Sequence, residues 1–427
     1  MKVENSIYIF NGYKFLDFID TEKFKEDVLS EFEIPEKVQK LDFPDYYSHL
    51  MVNFPGEQKI TGKIFFENIL YSHLKNVFVE KISAHPNLNI EKFKEKLKQL
   101  IENVNFKESI PTNFHNLMSE NGFYLMDLLN ITVPNTSFIA GCDLTEINGE
   151  VSNARFLFVE AVQKSTQGTV YFIAGIEIDF KKNLALTMIK NVGGLTKENT
   201  EADTTIHQLH QKAINKVLHT LGIFLKKPQV KNDREGMFKL CKKMDDNLLD
   251  DLRGELYSRV DYTVKESVKN LNHVLFNDTV KLSNTDQSDL RKKIKALLLS
   301  YYIEYQIKPL ELVRKAKRNK LIGYPTRINF TSNKSSRSST QSSNSKYPVS
   351  ASDMFHSLYF NFEQALGLDS WSVSWFTDYI FSDEKDIDVI QTTIYSTTKQ
   401  FRIVFLATRP LNKEIIHYVI NTIDSHR

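Results

Sequence analysis

Cysteine is almost absent: Cys142 and Cys241 are the only two in 427 residues. Two thiols build no disulfide framework, and neither has a histidine or second cysteine at metal-knuckle spacing. A secreted disulfide scaffold and a zinc module are excluded, and a reducing, cytoplasmic compartment is expected. Long apolar runs are missing as well. No stretch approaches the ~18 uninterrupted apolar residues of a membrane-spanning helix, and the opening "MKVENSIYIFNGYKFLDFID" carries acids too early for a secretory signal. Glycine and proline are sparse, at 15 and 11 residues. No Walker loop, dinucleotide fingerprint or nucleophile elbow occurs, so no motif identifies an activity outright.

What is present is an ordinary globular composition, 41% hydrophobic and 25% charged, long enough for two to three domains. Abundant Lys, Asn, Ile and Phe point to an AT-rich, bacterial or phage-related coding sequence. The net charge of +2 hides an uneven distribution. Residues 242–257, "KKMDDNLLDDLRGELY", are acidic. Between Arg291 and Lys320 lie Lys292, Lys293, Lys295, Lys308, Arg314, Lys315, Lys317 and Arg318, opposed only by Glu304 and Glu311. Arg327, Lys334, Arg337 and Lys346 continue the trend. Such local density is the footprint of a polyanionic partner, or simply a solvated helix face.

The sequence predicts an α+β chain: a four-stranded antiparallel β-meander packed with helices, plus a helical region and a small C-terminal α+β unit. Residues 1–130 read as a mixed, mostly helical N-terminal module, with helical spacing in 61–82 and 89–104. Residues 131–280 hold the meander and the helices after it. "SFIAGCDLTEI", the turn "NG" and "EVSNARFLFVEAVQK" read as a hairpin, because Asn-Gly readily takes the positive φ of a tight turn. "STQG" and "KKN" make the next turns, placing strands near 137–147, 150–164, 169–180 and 184–191. Thr200 and Asp203 fit a cap for the helix bearing Ile206, Leu209, Ala213, Val217 and Leu221. Residues 281–330 form a basic helical region, in which Pro309 suits a first helical turn and Lys317, Arg318 and Lys320 the cation-favoured end. Residues 331–349 read as a Ser-rich flexible linker or loop, "SNKSSRSSTQSSNS" having nothing to bury. Residues 350–427 form the small α+β unit. If the strand 326–330 belongs to its sheet, the serine run is an internal loop.

The turns suggest a register in which Asp143 opposes Ala154, Ala154 opposes Asp179 and Phe156 opposes Glu177. One face, with Cys142, Leu157, Phe172 and Ile176, is then core. The other gathers Asp143, Glu177 and Asp179, with Glu160 further along and Gly141, Ala154 and Gly175 among them. Three carboxylates around small side chains suit Mg²⁺ or Mn²⁺, and such an ion activates water for phosphodiester cleavage. Against this, Asp143 and Asp179 sit two strands apart, roughly 9–10 Å at ordinary spacing. A solvated polar end of a half-covered sheet is the plainer reading. Of "IHQLHQKAINKVLH", only His207 and His210 fall close enough to share a ligand, and His210 reads as a packed core residue. Asp386 and Asp388 form an Asp-x-Asp pair at a strand end. The tryptophans of "SWSVSWF" read as core.

One local order of features resembles the bacterial nucleoid-associated protein family. "YFIAGIEIDFKKNLALTMIKN" leads, after a connection, to "LHQKAINKV", with Leu209, His210, Gln211, Ala213, Ile214 and Asn215 in an order comparable to that family's "LHQAARIN". The resemblance implies association with DNA and no catalysis. The basic segment points the same way independently. The expected function is phosphate-backbone binding, to duplex DNA, through Arg291, Lys292, Lys295, Arg314, Lys315, Lys317, Arg318, Lys320 and Arg327, with no cofactor. Two alternatives remain: a metal-dependent nuclease or phosphodiesterase using Asp143, Glu177 and Asp179 with Mg²⁺ or Mn²⁺, and a protein-interaction or antiviral host-defence component docking an acidic protein.

Overall fold

The computed structural model describes residues 8, 10–104, 123–125, 134, 136–165, 168–195, 205–276, 280, 282–331, 337–344, 346–383 and 385–427. The chain forms two compact units, Met1–Lys227 with Thr408–Ile416, and Pro228–Ala407 with His417–Arg427.

The first unit carries helices α1 (Thr21–Glu31), α2 (Glu36–Gln39), α3 (Phe43–Asn53), α4 (Gln58–Ser72), α5 (Ile90–Val104) and α6 (Ile206–Ala213). Helix α6 continues through a π-helical turn, Ile214–Leu218, to Leu221. Its strands are β1 (Asn76–Ala84), β2 (Phe123–Leu125), β3 (Thr136–Ile147), β4 (Glu150–Lys164), β5 (Gly168–Asp179), β6 (Leu184–Ile189) and β7 (Phe224–Leu225). They run in the order β2-β3-β4-β5-β6-β1, every neighbouring pair antiparallel, and β7 pairs with β1. The four predicted strands lie where the alternation and turns put them. Asn148 and Gly149 take φ of 56° and 80°, as the hairpin turn demands.

A four-stranded meander is nevertheless too small a description. The described residues carry twelve strands, and the meander is flanked by β2 on one side and β1 on the other. Strand β1 begins inside 61–82, which the spacing predicts as helix, and runs on to Ala84. The run "NVFVEKI" is β-branched and aromatic, and it pairs along β6 from Asn76↔Ile189 to Lys81↔Leu184. The predicted cap at Thr200 and Asp203 lies outside the described residues; Thr205 caps α6 by accepting from the Gln208 amide.

The sheet is covered on both faces, not half-covered. Helix α4 lies directly on one face because Gly141 and Gly175 have no side chain there. A Cβ on Gly141 would meet Phe66 at 2.9 Å, and one on Gly175 would run into Leu70 of the same helix. On the other face His210 of α6 stacks on Phe78 of β1 with ring centroids 3.9 Å apart, and Lys212 pairs with Glu160 at 2.7 Å. Glu160 therefore lies on the opposite face from Asp143 and Glu177.

The second unit contains α7 (Val230–Phe276), α8 (Asn284–Gln306), α9 (Pro309–Arg318), α10 (Asp353–Glu363) and α11 (Lys413–Asp424), whose first residues belong to the other unit. Helix α7 has 47 residues, about 70 Å at 1.5 Å per residue. The strands are β8 (Gly323–Thr331), β9 (Arg337–Gln341), β10 (Leu368–Phe376), β11 (Val389–Ser396) and β12 (Phe401–Phe405), in the antiparallel order β12-β11-β10-β8-β9. Leu248, Leu256, Leu299, Ile303, Leu312 and Phe376 share one core. Trp371 and Trp375 are fully buried.

The serine run corrects the linker expectation. Residues 337–341 form β9, pairing with β8 from Arg327↔Gln341 to Thr331↔Arg337, with Thr340 buried. Residues 332–336 and 345 lie outside the described residues. Serine hydroxyls are as compatible with an edge strand as with a loop; Ser339 bonds Asn329 on the neighbouring strand.

Candidate functional site

The acidic strand belongs to a cross-strand row that the predicted register misses by one residue. Asp143 opposes Arg155, and Arg155 opposes Glu177. The predicted partner, Ala154, opposes Leu144 and Ile178 instead. Two things produce the slip: an irregularity between Thr145 and Glu146, and a β4–β5 turn in which Gly168, at φ 68°, stands opposite Lys164.

In this register a guanidinium sits among the acids. Arg155 donates to Asp143 and to Glu67 of α4. Lys63 Nζ is 3.1 Å from Asp143 Oδ1. Tyr71 donates its hydroxyl to Glu177 at 2.8 Å, and the Asn153 amide donates to the other oxygen at 3.3 Å. Asp143, Arg155 and Glu177 are 2%, 7% and 4% exposed. Burial opposes the Arg155 charge, but Tyr71, Glu67 and Asp143 outweigh it and hold its pKa above the ordinary value. Burial, reinforced by Glu177, pushes the Tyr71 hydroxyl well up, so it stays a donor. Asp179 stands apart, accepting from the Lys182 amide at 2.9 Å in the β5–β6 turn. A divalent ion at Asp143 would have to displace Arg155 and Lys63. Among the described residues no three His, Cys, Asp or Glu side chains come together as metal ligands.

The remaining candidates have structural partners. His210 Nε2 lies 3.3 Å from Glu80, under the Phe78 ring. His207 touches the edge of that ring and His219 stacks on Phe224. Asp386 accepts from the Asp388 amide at 2.9 Å in a solvated turn.

The basic segment splits into compensated and uncompensated charges. Lys295 pairs with Asp261 at 2.5 Å, Arg314 with Glu311 at 2.5 Å, and Lys315 with Asp251. Lys295 in turn holds the Asp261 carboxyl below its ordinary value. Lys317 is a correction. It falls on the buried stripe of α9 with Leu312, Val313 and Ala316 and is 1% exposed. Its ammonium donates to the Asp378 carboxylate at 2.9 Å and the Asp378 carbonyl at 3.0 Å. It cannot reach a phosphate. Lys292, Arg318, Lys320 and Arg327 are exposed, with no ion pair among the described residues; Arg291 is half-buried.

Lys292 and Lys295 also line a cavity of about 390 Å³ between α7, α8 and α10. Lys242 joins them at its wall, and Tyr257, Tyr359 and Phe360 supply aromatic surface. Beneath, Arg253 is held by Asp245, by Asp246 at 2.8 Å and by Asp250 at 3.5 Å, and its guanidinium lies 4.5 Å from the Tyr359 ring centroid. Burial pushes the Asp245 carboxyl up, against the pull of Arg253. The arrangement is an ionic floor with two lysines above it, Lys242 and Lys292, that have no ion pair among the described residues. Phosphate oxygens fit the lysines and a planar ring fits the aromatic wall, with Glu363 joining Asp246 and Asp250 as carboxylates in the same lining. Sequence reasoning missed Lys242 and the rings; "KK" at 242–243 is the only signal, and the acids that follow masked it.

Among the described residues no helix is long and apolar enough to cross a membrane. No protein-family model, curated protein or solved structure matches the chain.

Proposed function

We propose that this is a cytoplasmic, non-catalytic nucleic-acid-associated protein that holds the phosphate backbone at the α7–α8–α10 cavity. The observation that supports it is the placement of Lys242 and Lys292, without ion pairs among the described residues, beside Tyr257 and Phe360 at one concave surface. Lysine contacts with phosphate give salt-dependent, weakly sequence-specific affinity. Exposed Arg318, Lys320 and Arg327 extend the basic character of this unit. The local resemblance to nucleoid-associated proteins, in the other unit, agrees with DNA as the polymer. A nuclease acting through Asp143, Glu177 and Asp179 is not favoured, because Arg155 and Tyr71 already occupy two of those carboxylates.

The test is fluorescence anisotropy with labelled duplex DNA across a salt series. Lys242→Ala with Lys292→Ala should weaken binding similarly on unrelated sequences and lower the salt slope by about one per lysine that contacts a phosphate. Lys317→Ala reads stability, not binding, because that side chain is buried. Failure of the intact protein to bind duplex or single-stranded nucleic acid at low salt overturns the proposal.

A further inference from the structure

A second cavity, of about 350 Å³, lies in the first unit at one end of β4, β5 and β6. Three elements each bring a lysine to its wall. Lys14 comes from the 3₁₀ helix Gly12–Phe18, Lys164 is the last residue of β4, and Lys190 follows the last residue of β6. The wall between them is preformed. The Ser165 amide donates to the Gly194 carbonyl at 3.2 Å and Lys164 forms a β-bridge with Leu195, which fixes residues 191–195 beside the end of β4. The space around Gly193 is open, so a ligand can approach the backbone there. Lys14 Nζ lies over the Tyr171 ring and Lys190 Nζ over the Phe18 ring, each 5.2 Å from the centroid. Lys190 also donates to the Asp17 carbonyl, and Asp17 is the one carboxylate in the described lining. The local field is positive and partly desolvated. Burial lowers the pKa of Lys14, and lowers that of Lys190 against the pull of Asp17. Lys190 adds to burial in lowering nearby Lys75 and His73. Cations that depress one another are stabilised by an anion placed among them.

We infer that this cavity binds a nucleotide, with its phosphate among Lys14, Lys164 and Lys190 and its base on the exposed ring of Tyr13. Tyr13 is 61% exposed and packs on Phe10, edge to face, with ring centroids 5.3 Å apart. Aromatic faces stack bases whatever their identity, and an ammonium holds phosphate as a point charge. The volume falls at the low end for small-ligand pockets, about 300–1,000 Å³. It holds one nucleotide and no length of polymer. The site lies outside the α7–α8–α10 cavity and does not depend on the function proposed there.

Isothermal titration calorimetry on the full chain, with AMP and with inorganic phosphate, tests it. AMP should bind saturably and at least ~fivefold tighter than phosphate, for the added base stack. Lys14→Gln with Lys164→Gln should weaken both ligands at least ~tenfold, with an unchanged thermal midpoint as the folding control. Tyr13→Ala should weaken AMP and leave phosphate unchanged. Lys242→Ala with Lys292→Ala should alter neither ligand, so this site and the duplex-binding site are read separately. No saturable binding of either ligand below about 5 mM, or binding that the double glutamine variant leaves unaltered, overturns the inference. Phosphate bound as tightly as AMP, or Tyr13→Ala without effect, overturns the placement of the base. If the glutamine variant lowers duplex DNA affinity while AMP does not bind, the lysines serve the polymer and the nucleotide site falls.

Discussion

Replacing Arg155 with leucine removes the one cation placed between the acids of the β3–β4–β5 row. Two carboxylates lose their guanidinium partner, and they are not equivalent. Glu67 has a side chain 40% exposed, so water resolvates it and the loss is small. Asp143 is buried and, among the described residues, keeps Lys63 as its cation, at 3.1 Å. Breaking a buried pair by deleting one partner costs about 3–5 kcal/mol, because the survivor stays buried and undercompensated. With Lys63 still in place the low end applies, about 3 kcal/mol, or roughly 6–12 °C in the thermal midpoint of a unit this size.

The companion variant is Asp143→Asn with Arg155→Leu, which removes the stranded charge. It should recover much of the loss, leaving a coupling of about 2 kcal/mol between the two positions. The readout must resolve the units. Trp371 and Trp375 are the chain's only tryptophans and both lie in the second unit, so their fluorescence should not move. Urea unfolding followed by hydrogen exchange on β4 reads the first unit. A cost below about 1 kcal/mol for Arg155→Leu, or a double variant no better than the single, refutes the reasoning.

Two glycines of α7 should respond oppositely to alanine. Gly254 has open space around it and should gain about 0.5–1 kcal/mol from helix propensity, while a methyl at Gly236 would run into the His426 carbonyl and should destabilise by about 2 kcal/mol or more; paired urea midpoints by tryptophan fluorescence decide it. His356 is buried, its Nε2 lies 2.8 Å from the Ser350 carbonyl, and burial lowers its pKa from 6.5 to about 4. The unfolded chain therefore binds the proton first as pH falls: this contribution to stability is full above about 6.5 and is lost by about 4, about 3 kcal/mol in all. His356→Gln should flatten that pH dependence of the tryptophan-detected midpoint, and an unchanged slope would show that the histidine is not the titrating group.

Local signals in the sequence served the structure well where they were strong. Alternation and the Asn148-Gly149 turn mark the meander, and the apolar stripe marks α6. Strand β1 escaped because it follows α4 closely, and its own short run blends into the helical period. The register slipped because a bulge leaves no signature: Thr145 and Glu146 are ordinary strand residues. The basic segment misled for a different reason. A window from 291 to 320 counts only the acids inside it, whereas Lys295, Lys315 and Lys317 find partners 34, 64 and 61 residues away. Charge density along a chain is a local quantity, and charge compensation in a fold is not.

The same contrast explains why a charged row sits inside a sheet buried on both faces. Such strands are apolar in nearly every position, as Phe156, Leu157, Phe158 and Val159 show, so a one-residue slide exchanges one apolar face for another at little cost. Hydrophobic patterning cannot then hold the register. Asp143 and Arg155 can, because a slide of β4 by one residue turns Arg155 to the opposite face, away from Asp143 and Glu67, and leaves buried Asp143 with Lys63 as its cation. Gly141 and Gly175 act in the same direction, since a slide would bring a side chain against Phe66 or Leu70 of α4. On this reasoning the double variant at Asp143 and Arg155 regains stability without regaining uniqueness. Its β3 and β4 amides should exchange faster than in the native chain even where the unfolding free energies match. Native-like protection in those strands would show that packing against α4 fixes the register alone.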